Sequence, residues 1–319
     1  MHTIAIIGAG NIGSRHLQAF GAAGQSLKII LIDPSQTSLD TSKARWEEVG
    51  KSNKEAQVFF QKDFSKLPGE IDFAVISTNS EHRLSALKNL LQRCQCKNIL
   101  LEKFLFSSEN EYAEASSLIE KYEVNAYVNI VRRTFESYRW VFEKLKSLPG
   151  NLDMKVIGNN WGMASNSIHF IDLFCYLAND SIGICEFQDT ATTTILSSKR
   201  EGYIEFLGDL SASGTKGNKL TVSCHEGEYD KINIQIEKGN LKIQIEEKGN
   251  EITVRVADEE RKFPYPFQSQ LTLKYFNELM SGKSSLVSFR ESSAMHIKFL
   301  QAVKNIFLHK NYQHEWKIT

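Results

Sequence analysis

Residues 3–21 read TIAIIGAGNIGSRHLQAFG, an apolar run followed at once by three glycines, Gly8, Gly10 and Gly13, and then by residues at helical spacing. In a strand–turn–helix of this kind each glycine has a separate task. Gly8 permits the tight turn, Gly10 lets the backbone approach a pyrophosphate, and Gly13 lets the helix pack closely on the strand. The helix beginning near Asn11 points free N–H groups and its positive dipole end at the anion. Asn11 and Ile12, between the last two glycines, belong to the same cradle. The next strand, within KIILIDPS (28–35), ends at Asp33, 20 residues past Gly13. A carboxylate there accepts hydrogen bonds from the adenosine ribose hydroxyls and repels a 2′-phosphate. No arginine follows directly, so the pattern favours NAD(H) over NADP(H). The competing reading of Asp33 alone is a cap on the next helix.

Working outward, short apolar runs alternate with helical patterns from residue 3 to about 130. TIAIIG, KIILID, AQVFF, IDFAVIST, KNILLE and VNAYVNI read as buried strands, separated by segments such as SEHRLSALKNLLQRC that carry apolar residues at helical spacing. This alternation predicts a doubly wound parallel sheet with right-handed crossovers. After the helix FESYRWVFEKLKSL the rhythm changes to successive strands, including DMKVIGNNW and KINIQIEKGNLKIQIEEKGNEITVRV, with Gly-Asn at two hairpin turns. Two helices, SQLTLKYFNELMSG and ESSAMHIKFLQAVKNIFL, close the chain. The expected architecture is an α/β dinucleotide-binding domain over residues 1–124 and a mainly antiparallel α+β domain over 125–319. A sheet with one unpacked face predicts a homodimer or homotetramer.

The whole sequence has 319 residues, with 38 basic and 38 acidic side chains. That balance gives no net field toward nucleic acid or an anionic membrane, so the expected partner is a small-molecule substrate. No apolar run approaches the ~18 residues of a membrane span. With a strand pattern starting two residues after Met1, no signal peptide is expected. Five scattered cysteines, with only Cys94 and Cys96 close together, predict reduced thiols in a cytoplasmic protein and no metal site.

Five stretches together resemble the glucose–fructose oxidoreductase/inositol dehydrogenase family (Gfo/Idh/MocA), over nearly the whole length. GAGNIGSRH is similar to the family's G-x-G-x-x-G-x-x-H, with His16 last. STNSEH resembles T-P-N-x-x-H without the proline, giving Thr78, Asn79 and His82. LLEKF resembles the E-K-P signature, giving Glu102 and Lys103, with Phe104 in place of proline. NIVRRTFESYR resembles N-x-R-R-F-x-P-x-Y, giving Arg132, Arg133 and Tyr138. SNSIHFID resembles D-x-G-x-H-x-x-D, giving His169 and Asp172, with Ser165 and Ser167 replacing the Asp and the Gly. The resemblance implies a Rossmann domain joined to a domain with a large open sheet, and reversible NAD(P)-dependent oxidation of a sugar or cyclitol hydroxyl. It also implies that Thr78, Asn79, His82 and Glu102 bind the cofactor and that Lys103 contacts the reacting hydroxyl; Asn79 and His82, on the loop after the fourth strand, either reach the nicotinamide ribose or cap the following helix.

Removing hydride from a secondary carbinol requires a base within hydrogen-bond reach of the oxygen and positive charge favouring alkoxide character. Lys103, directly after a strand at the carboxyl edge of the sheet, suits the second task. His169 suits the first, because imidazole titrates nearest neutral pH. The helix carrying it is expected to start near Asn166 as N-cap. Asp172, three residues on, shares its helix face and is placed to orient the ring or to meet substrate. Ser165 offers a neutral hydroxyl to substrate, while Asn160 and Trp161 offer an amide and an aromatic floor. Arg132 either binds a phosphate or carboxylate of the substrate or forms an ion pair fixing the two domains. The leading expectation is an NAD-dependent dehydrogenase or reductase of a sugar, a sugar derivative (phosphate- or nucleotide-linked ones included) or a cyclitol. The alternatives are a catalytically silent NAD- and ligand-binding regulator on the same scaffold, and a reductase of a non-sugar carbonyl such as a tetrapyrrole.

Overall fold

The computed structural model describes residues 1–49, 53–189, 191–199, 201–311 and 316–318. Its contacts divide the chain into two units, residues 1–129 with 266–290, and residues 130–265 with 291–319.

In the first unit, β1 (His2–Ile7), β2 (Leu27–Ile32), β3 (Ala56–Gln61), β4 (Glu70–Ile76), β5 (Gln95–Leu101) and β6 (Asn125–Val128) pair in parallel. The two-residue β16 (Val287–Ser288) adds antiparallel to β6, giving the order β16-β6-β5-β4-β1-β2-β3. The centres of β1, β2, β4 and β5 are mostly Ile, Leu, Val and Ala with almost no exposure, because helices cover both faces of such a sheet. Those helices are α1 (Asn11–Ala19), α2 (Gln36–Val49), α3 (Ser80–Leu91) and α4 (Glu109–Lys121), the last opened by a capping box between Ser108 and Glu111. The direction of strand order reverses at β1, which lies between β4 and β2. In doubly wound sheets ligands bind outside the carboxyl ends of the strands at such a point.

A helix expected to close the second domain, α7 (Gln268–Met280), belongs instead to this unit. It packs on α1, where the Phe276 ring meets Phe20 and His2 edge-on and lies against Phe73. The single cut expected after residue 124 therefore does not describe the return of residues 266–290. The apolar face of α7 is matched by α1 and the end of the parallel sheet.

The second unit holds α5 (Glu136–Leu145), β7 (Leu152–Asn159), α6 (Met163–Ala178), β8 (Ile182–Phe187), β9 (Thr194–Ser197), β10 (Ile204–Gly214) and β11 (Lys219–His225). A meander follows, β12 (Ile232–Lys238), β13 (Leu241–Lys248), β14 (Glu251–Val256) and β15 (Glu259–Pro264), and α8 (Phe289–His309) runs on into this unit from the first. The sheet order is β15-β14-β13-β12-β7-β11-β10-β8, with β9 beside β10, and only β7 and β11 pair in parallel. The hairpins turn at Gly239 and Gly249, both at positive φ, as the Gly-Asn pairs predict. Along β12, Ile232, Ile234 and Ile236 are buried while Asn233, Gln235 and Glu237 are not, so one sheet face forms the core. A Rossmann parallel sheet followed by a mainly antiparallel one is the expected fold class. Strands β9, β10 and β15 are additions to the sequence expectation.

Candidate cofactor and substrate sites

The glycine turn joins β1 to α1 at the reversal point. Gly8 has φ +98°, and a Cβ there would stand 2.9 Å from the Thr78 nitrogen on the loop after β4. A Cβ at Gly13 would fall 1.8 Å from the Gly8 carbonyl oxygen. At Gly10 a Cβ would meet nothing within 4 Å, and Asn11 and Ile12 are exposed beside it. The turn is thus close-packed underneath and open above, the shape a pyrophosphate needs. Ser77 Oγ donates to the Gly8 carbonyl at 2.8 Å, tying the turn to the β4 loop. Asp33 Oδ2 accepts the Ala9 N–H at 2.7 Å and Oδ1 accepts the Ser35 N–H at 2.8 Å. Its carboxylate is therefore fixed against the turn, with lone pairs to spare for ribose hydroxyls. Among the described residues Thr78 Oγ1 is buried without a hydrogen-bond partner. A buried hydroxyl of that kind beside the turn fits a dinucleotide, as the open Gly10 does.

Lys103 is half-buried just past the end of β5, at the carboxyl edge of the sheet. What holds its loop is Arg83, which motif reading does not single out. The buried Arg83 guanidinium donates to the carbonyls of Phe104 and Leu105 on one side and of Thr78 on the other. Asn79 takes the N-cap position of α3, and His82 is exposed on its first turn. Glu102 departs from its expected place against the cofactor. It is buried, accepts a hydrogen bond from His16 Nε2 at 2.8 Å and another from the Asn129 amide. His16 Nδ1 meets Thr272 Oγ1 of α7 at 2.8 Å. Burial opposes ionisation of Glu102, but His16, Asn129 and the nearby Arg83 together hold its carboxyl below the ordinary range. Glu102 is a brace joining β5, α1 and β6.

The second unit has a cleft of about 810 Å³, lined among others by Ser165, Asn166, Lys199, Glu205 and Tyr229. A neighbouring hollow of about 370 Å³ shares Asn160, Trp161 and Asn166 with it and adds His169 and Arg132. Helix α6 begins at Met163 with Gly162 as N-cap, four residues before the expected cap at Asn166. Glu205 of β10 explains the shift: its carboxylate accepts the Ala164 N–H at 2.7 Å and the Ser165 hydroxyl at 2.6 Å, so an acid from another strand caps the helix. Asn166 lies inside the first turn, its Nδ2 donating to the Trp161 carbonyl at 2.8 Å. Asn160 is exposed in the left-handed region, with its amide on the Gly227 carbonyl. Trp161 is mostly buried, its indole N–H on the Ser223 carbonyl and its ring edge-on to Phe170, so little of it remains as a floor.

Two expected substrate contacts are corrected. Arg132 forms a bidentate pair with Glu247 of β13, at 2.9 and 2.8 Å, and lies 4.3 Å over the Phe170 ring. The Tyr138 hydroxyl donates to the same carboxylate. Burial disfavours the Arg132 charge, yet Glu247 more than restores it, so the guanidinium is neutralised in place and the pair lies wholly within the second unit. Asp172 has no exposure and both its oxygens face Arg133, at 2.7 and 2.8 Å, so it neither orients His169 nor faces an open cleft. Burial pushes the Asp172 carboxyl up to about 6 against the downward pull of Arg133. All five cysteines are buried and free. Among the described residues no helix is long and apolar enough to cross a membrane.

This fold and cradle define a two-domain protein with a dinucleotide-binding amino-terminal unit. Residues 2–130 match the Gfo/Idh/MocA model, described as an oxidoreductase family with an NAD-binding Rossmann fold. No curated protein sequence matches it. Among solved structures, it is similar to myo-inositol dehydrogenase from Lactobacillus casei in complex with NAD(H) and myo-inositol (15% identity, 98% of this chain and 96% of that one, TM-score 0.71). It is also similar to an oxidoreductase from Agrobacterium radiobacter in complex with NAD+, L-tartaric acid and magnesium (13% identity, 96% of each chain, TM-score 0.71). A third is the transcriptional regulator Gal80p from Kluyveromyces lactis (14% identity, 96% and 92%, TM-score 0.71).

Proposed function

We propose that the protein is an NAD-dependent oxidoreductase acting on a secondary hydroxyl, or the matching carbonyl, of a sugar, sugar derivative or cyclitol. Bound NAD supplies the hydride acceptor, and NADH the donor. The observation that carries the reading is Lys103, a half-buried ammonium at the carboxyl edge of the sheet, on the loop that Arg83 ties to the Thr78 loop. Its charge favours alkoxide character at the reacting oxygen. His169, on the wall of the second unit's hollow, is suited to carry the hydroxyl proton. Asp33 at the turn favours NAD over NADP. The amides and hydroxyls around His169 suit a polyhydroxylated substrate.

A second reading, a silent NAD-binding regulator, draws on one observation: the carboxylate of Asp172 is committed to Arg133. A spectrophotometric screen of polyols and sugars with NAD+ decides between them. Turnover is expected, and Lys103→Ala should abolish it while NAD affinity stays within about twofold, because an interaction made with substrate leaves cofactor binding alone. NAD binding without turnover of any substrate transfers the reading to the regulator. Failure of NAD to bind overturns both.

A further inference from the structure

Arg45 of α2 reaches across to the first turn of α1. Its Nη2 donates to Asn11 Oδ1 at 3.3 Å, and its Nη1 donates to Ser14 Oγ. Its backbone is anchored there, since its carbonyl accepts from Gln18 Nε2 at 3.2 Å. One turn earlier Ser42 Oγ donates to the Ala9 carbonyl at 3.1 Å, which ties α2 to the glycine turn. Both acceptors of the guanidinium are neutral. Where Arg132 and Arg133 each face a carboxylate, no ion pair among the described residues neutralises Arg45. The positive end of the α1 dipole lies on the same side. A cation beside that dipole end is unfavourable by itself and becomes favourable when an anion stands between them. Gly10, where a Cβ would meet nothing within 4 Å, directly precedes Asn11, the acceptor of Arg45 Nη2.

We propose that Arg45 is a cofactor-binding residue whose guanidinium faces the pyrophosphate of the dinucleotide at the first turn of α1. This rests on the NAD-binding reading above. A charge-assisted hydrogen bond or close Coulomb contact in this half-exposed place is worth about tenfold in affinity. Asn11 and Ser14 then act as the rest that aims the guanidinium.

The test is titration of the intact protein with NAD+, ADP-ribose and NADP+ at low and high salt, for the wild type, Arg45→Gln and Arg45→Lys. Arg45→Gln keeps a polar side chain without charge and should weaken NAD+ and ADP-ribose alike, by about tenfold. The rise of Kd with salt should be shallower in that variant, since one screened contact is gone. Arg45→Lys should recover most of the affinity. Unchanged NAD+ affinity in Arg45→Gln overturns the assignment. So does a loss that keeps the wild-type salt dependence and is not rescued by lysine, which marks a purely structural side chain. A loss confined to NADP+ overturns it too, by placing the guanidinium at a 2′-phosphate. If the wild type binds none of the three nucleotides, the proposed function fails first and takes this inference with it.

Discussion

Gly10 and Gly13 sit three residues apart in one turn and answer to different demands. A methyl at Gly13 would collide with the Gly8 carbonyl oxygen, whereas one at Gly10 would enter open space. Gly13→Ala should therefore cost about 2–4 kcal/mol of folding stability, as backbone overpacking does. Gly10→Ala should melt with the wild type yet bind NAD at least tenfold more weakly, since its methyl occupies the pyrophosphate's place. Thermal melts paired with NAD titrations check both, and equal effects at the two positions would refute the division. The glycines were legible because what they provide, a positive φ or an absent Cβ, is decided within a few residues of sequence. Arg83, Arg45 and Glu205 were not. Each is an ordinary charged residue whose meaning comes from carbonyls or helix ends elsewhere in the chain, and no spacing rule reports those.

At the scale of elements, the turn over Arg132–Thr134 sends two adjacent arginines to different partners, Arg132 to β13 and Arg133 to α6. The motif N-x-R-R was visible. Glu247 lies 115 residues along the chain, so the partner that turns Arg132 from ligand-binder to brace was not. Breaking a buried pair leaves an uncompensated charge, so Arg132→Ala should cost about 3–5 kcal/mol in denaturant unfolding. A near-neutral result would return Arg132 to the substrate. The brace in the first unit makes a pH prediction. Because the folded-state carboxyl of Glu102 is held low, its contribution is complete above the ordinary value of about 4.3 and is lost as pH falls through the lower folded value. Glu102→Gln should thus lower stability at pH 7 by roughly 1–3 kcal/mol, with the gap from wild type closing in acid below about pH 4. A gap that is constant across that window would show the carboxylate charge to be irrelevant. Apolar runs announced nearly every strand of the parallel sheet, buried on both faces. Strand β10, with residues such as Glu205 and Asp209 among its apolar positions, gave no such run and carried the cap of α6 unseen.

Over the whole molecule, chain order and unit membership part company at α7. Periodicity correctly marks SQLTLKYFNELMSG as a helix, but an amphipathic face does not say which apolar surface it will cover. Phe276, Tyr275 and Leu271 are buried, and Phe276 closes on Phe20 and Phe73 of the first unit. Each large apolar side chain so covered is worth about 1.5–3 kcal/mol, a substantial share of a small domain's stability. Residues 1–129 alone should therefore lack a cooperative melt and aggregate through the uncovered face of α1. The repair is short, because the Asn129 side chain donates to Gln268 Oε1 at 2.8 Å, placing the end of one segment beside the start of the other. Residues 1–129 joined by a brief glycine–serine linker to 266–290 should recover helix-and-strand circular dichroism, a single unfolding transition and NAD affinity near that of the full chain. If residues 1–129 melt cooperatively and bind NAD without the added helix, α7 is dispensable, and the two-segment description of the dinucleotide-binding unit is wrong.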